Sequence, residues 1–147
     1  MNKTFRGQIA DREQIRIRLS TNNGLMGYKI AKFAVFPAGA TSNFSYESFV
    51  QAFTTERTDA IPADGIPTFD DPTLLGAVYY TQSSSGATNP EDSNVVFDTM
   101  VFNQDIFITH SNSEGSSGIN YYIELEQVKL DINEATVATL KDMRGRE

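Results

Sequence analysis

The sequence predicts an all-β fold: one β-sandwich over residues 1–147, of jelly-roll kind, with about eight short strands. Three observations carry that expectation. Apolar and polar residues alternate with period two in most segments, whereas helical periodicity is nearly absent. Clusters of Gly, Pro, Ser, Asn and Asp punctuate these segments. At 147 residues the chain suits a single core, since two cores of half that length would each be marginal.

The clearest strand is Gln14-Ile15-Arg16-Ile17-Arg18-Leu19-Ser20, where Ile15, Ile17 and Leu19 take one face and Arg16 and Arg18 the other. Thr21-Asn22-Asn23-Gly24 follows. Asn-Gly favours a tight turn because both residues tolerate positive φ, so a hairpin onto the next strand, Leu25 to Phe36, is expected. Within that strand Tyr28 and Ile30 share one phase and Phe33 and Val35 the other, which places a bulge near Ala31-Lys32. Pro37-Ala38-Gly39-Ala40 ends it, and Phe44 to Thr54 reads as the next strand. Glu56 to Pro72 lacks strand periodicity and reads as a surface loop with a short turn at Asp70-Asp71-Pro72.

Leu74 to Thr81 is a nearly continuous apolar strand, followed by a polar loop from Ser83 to Asp92. Asn94 to Phe97 and Asp105 to Thr109 flank Met100-Val101-Phe102, and Ser111 to Gly118 is a second polar loop. From Ile119 onward the apolar phase passes from Ile119, Tyr121, Ile123 and Leu125 to Val128, Leu130 and Ile132, which suggests another bulge near Glu126-Gln127. The tail, residues 133–147, could form a short helix capped by Asn133. The β-branched Thr136, Val137 and Thr139 favour a C-terminal arm instead.

Charge narrows the function. The net charge of −7 argues against nucleic acid as a partner. Residues 1–32 balance to +5, residues 33–128 to −12, and the last nineteen to zero. A basic edge on an acidic body suits pairing with copies of itself or with an acidic surface. Arg16, Arg18, Lys29 and Lys32 are the candidate contact residues, crowded on the expected hairpin across Asn22-Asn23-Gly24. No apolar run is long enough to cross a bilayer as a helix, and no apolar stretch follows Lys3 and Arg6, so neither a membrane span nor a secretory leader is expected. The sequons Asn2-Lys3-Thr4 and Asn43-Phe44-Ser45 are accordingly read as chance matches.

Catalytic constellations are scarce. With no cysteine there is neither a disulfide framework nor a thiolate site, and His110, the only histidine, reads as a polar strand end. Glu124 and Glu126 share a strand face about 7 Å apart, as on any alternating solvated strand. Asp70 and Asp71, adjacent in a loop, seldom could face each other across a cleft. Asp59, Asp64, Asp70, Asp71, Glu91 and Asp92 supply oxygen ligands in two loops but match no EF-hand, so calcium is only a minor possibility. No phosphate-binding glycine loop occurs. The expectation is therefore a protein with no catalytic residue and no cofactor. Among the aromatic residues Tyr46, Tyr79, Tyr80, Tyr121 and Tyr122 could leave rings exposed, although core packing is the commoner use.

Five blocks carry a resemblance: Phe5-Arg6-Gly7-Gln8-Ile9-Ala10-Asp11, Arg16-Ile17-Arg18-Leu19-Ser20-Thr21, Gly27-Tyr28-Lys29-Ile30, Phe102 to His110, and Asn120 to Leu130. Together they resemble small virion-type proteins of tailed bacteriophages that infect aquatic bacteria. The resemblance covers the two ends of the chain and leaves 37–100 unmatched. It implies a capsid decoration, or cement, protein or another structural component of the particle. The partners it implies are the major capsid protein or other virion proteins, with assembly in the host cytoplasm and association as homotrimers. The alternative is a glycan- or receptor-binding sandwich of a tail or fibre, working through Tyr79 or Tyr122.

Overall fold

A computed structural model of the chain describes residues 2–19, 25–37, 46–61, 66–82, 91–113 and 118–144. Along it run β1 (Asn2–Ile9), β2 (Gln14–Ile17), β3 (Met26–Pro37), β4 (Tyr46–Phe53), β5 (Leu74–Gln82), β6 (Glu91–Phe97), β7 (Ile106–Asn112), β8 (Ile119–Lys129) and α1 (Ile132–Arg144). The strands form two antiparallel sheets, one ordered β1-β8-β3 and the other β2-β7-β4-β5-β6. One apolar core joins their facing sides, with Ile123 and Leu125 of β8 packed in the same cluster as Val50 of β4 and Ile108 of β7.

The expected β-sandwich is therefore what the chain forms. Its pairing is nested, β1 with β8, β2 with β7 and β4 with β5. The jelly-roll assignment is not established, because β6 pairs with β5 at the end of the larger sheet rather than with β3.

Alternation explains most of this. In β8 the residues from Ile119 to Leu125 are buried at every second position, and β1 and β3 flank the strand on both sides. In β3 the ladder slips between Ile30 and Lys32, at the expected bulge. Tyr28 and Ile30 before the slip and Phe33 and Val35 after it can therefore all face inward. β1 goes unnoticed in the sequence because only Phe5 and Ile9 mark its inner face.

Three expectations need correction. β2 and β3 do not form a hairpin; they pair with β7 and β8 in different sheets, and Asn22-Asn23-Gly24 lies outside the described residues. No bulge occurs near Glu126-Gln127, since pairing with β3 runs unshifted from Leu125 to Lys129. The residues of the two apolar phases serve two clusters instead, except Ile132, which opens α1 and is exposed. Leu125 enters the main core, and Val128 and Leu130 form a second cluster with Leu25, Val101, Ala135 and Ala138. Gly27 makes room for this second cluster, because a Cβ there would stand 2.8 Å from Val101 Cγ1.

The third correction concerns the tail, where residues 132–144 are helical and not an extended arm. Asp131, rather than Asn133, caps the helix. Its Oδ1 accepts the Glu134 N–H at 2.7 Å, and its carbonyl accepts the Ala135 N–H at 2.9 Å. The cap and the burial of Ala135 and Ala138 outweigh the weak helix propensity of the β-branched residues.

Ile123 lies in both ladders of the smaller sheet, opposite Phe5 and Phe33, and is fully buried. Ile123→Ala is expected to lower unfolding free energy by about 2–5 kcal/mol in urea titrations, whereas Ile66→Ala, at an exposed position, should change it by less than about 0.5 kcal/mol.

Candidate functional site

The four cations expected to make one patch stand on two opposite outer faces. Ile15 and Ile17 point into the core, so Arg16 faces out from the five-stranded sheet. Its guanidinium is held by Asp105: Nε donates to Oδ2 at 2.6 Å and Nη2 lies 2.5 Å from the same oxygen. The other oxygen of Asp105 accepts the Leu19 N–H at 2.7 Å, which fixes the chain just beyond β2. Arg16 also lies against the ring of Phe107, its partner across the ladder. Arg18, exposed, follows β2.

Lys29 and Lys32 belong to the outer face of the three-stranded sheet. Lys29 Nζ pairs with Glu126 at 3.1 Å, and Lys32 Nζ sits 5.5 Å from the ring centre of Tyr122. Glu124 accepts the Asn2 side-chain amide at 2.7 Å on that face. Three of the four cations are thus engaged within the fold, and no common docking patch joins them. The carboxylates expected as a solvated pair, Glu124 and Glu126, are engaged as well.

His110 is not a strand-end residue. β7 continues to Asn112, and the imidazole is fully buried between the sheets. Its Nδ1 lies 3.1 Å from the Ile9 carbonyl oxygen and 3.2 Å from that of Ala10, and its Nε2 lies 3.2 Å from Ser48 Oγ. Because carbonyls only accept, Nδ1 carries the proton and Nε2 accepts from the Ser48 hydroxyl. Ser48 Oγ in turn accepts the Asn112 side-chain amide at 2.9 Å. Serine beside histidine suggests an acyl-transfer pair, but both are buried, and backbone carbonyls occupy the place where a triad would put its acid. The arrangement serves the fold. It fastens the crossing from β1 to β2, where Arg12 takes φ 57° and its backbone N–H donates to the His110 carbonyl at 2.8 Å, while the His110 N–H donates to the Glu13 carbonyl at 3.1 Å.

The acidic loops are partly committed too. Burial alone would raise the Asp71 carboxyl, but hydrogen bonds from Thr73 and the Arg57 guanidinium outweigh it and hold Asp71 below the usual carboxylate value. Arg57 lies 3.0 Å from Asp71 and stacks over the Phe53 ring, while its backbone N–H donates to Gln14 Oε1 at 2.8 Å. The segment after β4 is thereby tied across the sheet to β2. Among the described residues no three acidic or histidine side chains gather as a metal site; Asp64 and the side chains of Glu91 and Asp92 lie outside them.

Of the tyrosines, Tyr80 and Tyr121 belong to the core, and burial raises the Tyr121 phenol. Tyr79 and Tyr122 are half-buried on opposite outer faces, and the side chain of Tyr46 lies outside the description. Tyr79 packs against Phe49 across the β4–β5 ladder, ring centres 5.1 Å apart. The exposed large apolar residues include Phe36, Phe69, Val96, Ile132, Val137 and Leu140. Val137 and Leu140 lie on the segment expected as an arm, which has no outer face to assign, and Ile132, expected to share the inward phase of Val128 and Leu130, is exposed instead. Against models of protein families, curated proteins and solved structures, the chain shows no significant match.

Two outcomes follow from this geometry. Arg16→Glu, which sets a carboxylate against buried Asp105, is expected to lower stability by about 1–3 kcal/mol, and Arg18→Glu by less than about 0.5 kcal/mol, in denaturant titrations. Desolvation pushes His110 below the ordinary imidazole value, against the opposing pull of Ala10, Asp11 and Ile9. The unfolded chain therefore binds the proton first as pH falls. This contribution to stability is complete above about pH 6.5 and declines below it, towards the depressed folded value. A His110→Gln variant should be less stable and lose this component of the pH dependence; an unchanged pH profile would refute the assignment.

Proposed function

We propose that the protein is a non-enzymatic structural component of a tailed-phage particle, a decoration or cement protein that docks on the head lattice and stabilises it. The observation that carries this reading is the spatial grouping of the blocks that resemble virion proteins. Although separated in sequence, they fall on β1, β8 and β3, the whole smaller sheet, and on β2 and β7 of the larger one. The unmatched middle supplies β4, β5 and β6. A layer built from resembling blocks beside an unmatched remainder would suit a family that keeps its scaffold and changes its contacts.

Two further features support the reading. The buried polar residues Ser48, His110 and Asn112 are spent on one another and on the backbone, while large apolar side chains stand on the outside. Docking on a repeating lattice uses many modest contacts, for which flat sheet faces are suited. The partner in this reading is the major capsid protein, and the place of action is the virion, assembled in the host cytoplasm.

A second reading, glycan binding at a tail or fibre, draws on the Phe49–Tyr79 ring pair, which lies on an outer sheet face where a sugar could stack.

Mass spectrometry and density maps of purified particles should find the protein in stoichiometric, lattice-repeated copies, and stripping it should lower the temperature at which heads release DNA. Its absence from particles would overturn the proposal. Glycan-array binding that disappears in Tyr79→Ala or Tyr122→Ala would favour the second reading.

A further inference from the structure

Residues 10–13, which carry the chain from the smaller sheet to the larger, hang on one strand. Among the described residues, the hydrogen bonds that tie this crossing to the body all come from β7. The Arg12 N–H donates to the His110 carbonyl at 2.8 Å, and the His110 N–H donates to the Glu13 carbonyl at 3.1 Å. The Asn112 N–H donates to Asp11 Oδ1 at 2.7 Å. The fourth attachment is the imidazole itself, with Nδ1 3.1 Å from the Ile9 carbonyl oxygen and 3.2 Å from that of Ala10. On either side of the crossing stands an edge strand, β1 bonded to β8 alone and β2 to β7 alone. Arg12, at φ 57°, is held by these bonds in a region that a non-glycine residue leaves readily once they break.

Neutral His110 fits this site, and its cation does not. In the neutral ring Nδ1–H serves the two carbonyls and Nε2 accepts the Ser48 hydroxyl, while Ser48 Oγ accepts the Asn112 amide at 2.9 Å. A proton on Nε2 brings a second donor to Ser48 Oγ and turns the hydroxyl hydrogen away from its acceptor. It also encloses a charge in a fully buried ring. Little opposes that charge. On the crossing, the Asp11 carboxylate already accepts the Asn112 N–H and lies 3.8 Å from Arg12 Nε, and Glu13 Oε1 accepts the Ala10 N–H at 3.3 Å. From β4 the ring meets uncharged Ser48, since Glu47 beside it takes the opposite face, and β5 and β8 bring the phenols Tyr80 and Tyr121 to the same core. Phenols stay neutral as pH falls.

We infer that the crossing is an acid-operated latch: a proton taken up by His110 releases residues 10–13 from β7 while the ladders of the two sheets stay paired. Opening at this point breaks a few hydrogen bonds and gives the ring access to water, whereas the apolar core between the sheets remains closed. The depressed affinity of the buried ring for protons sets the sign. The open form binds the proton first, so opening becomes easier as pH falls below about 6.5, towards the lowered value of the closed form. The inference does not depend on the virion reading, and it locates in one segment what a pH-dependent stability alone would assign to the whole fold.

Amide hydrogen exchange followed by NMR, corrected for the intrinsic rate at each pH, tests it in the full chain. At neutral pH the Arg12 and Asn112 amides should exchange faster than that of Val50 in the central strand, at a rate that urea up to about 1 M leaves unchanged. Their protection should fall roughly threefold to tenfold between about pH 7 and pH 5.5, in step with titration of the His110 ring. Asp11→Asn, which removes the neighbouring carboxylate, should keep that response, and His110→Gln should abolish it. Crossing amides that exchange only with Val50, and with its urea dependence, would show global unfolding in place of a latch and overturn the inference. Protection that ignores pH would overturn it too, as would a response lost in Asp11→Asn, since the carboxylate would then be the trigger.

Discussion

The sandwich depends on one crossing. Between Ile9 and Gln14 the chain leaves the smaller sheet and enters the larger one, and its backbone groups must be satisfied where neither ladder reaches. β7 provides for this. Its His110 backbone bonds Arg12 and Glu13, its His110 ring meets the Ile9 and Ala10 carbonyls, and the Asn112 N–H donates to Asp11 at 2.7 Å. One strand thus holds both layers together with polar bonds where the apolar core ends. This explains why every residue of β7 is buried although half of its inward positions are polar.

That constraint also shapes what the molecule offers to partners. Groups that could do chemistry, a serine, a histidine and an asparagine, are consumed in closing the sandwich. The cations on its faces are largely consumed by nearby acids and rings. Among the described residues, large apolar side chains also stand exposed: Ile132, Val137 and Leu140 on α1, Phe36 on β3 and Val95 and Val96 on β6. The docking proposal rests on this division, in which polar groups hold the fold and apolar groups face outward.

Much of the fold was legible because alternation records which face of a strand is buried. Ile119 to Leu125 could be placed from their spacing, and so could the slip between Ile30 and Lys32. β1 was not legible, because an edge strand with two apolar side chains gives too weak a period. The tail misled for a different reason. Thr136, Val137 and Thr139 are poor helix formers, yet the Asp131-Ile132-Asn133-Glu134 start signal and the Ala135–Ala138 spacing were present. Those signals gain force only once a surface exists for the alanines to pack on.

The sequence by itself determined the strands from β2 to β8, the sandwich and the absence of cysteine chemistry, since these follow from residue type and period-two spacing. Only the tertiary structure decided which strands are neighbours. Asn22-Asn23-Gly24 favours a local turn whatever comes after it, but β2 lies beside β7, some ninety residues away, because nested pairing buries both layers at once. The same step parted Arg16 from Lys29 and Lys32, gave Arg16 to Asp105, and put His110 inside. Side-chain character is local, whereas burial and partnership are settled by which distant segments meet.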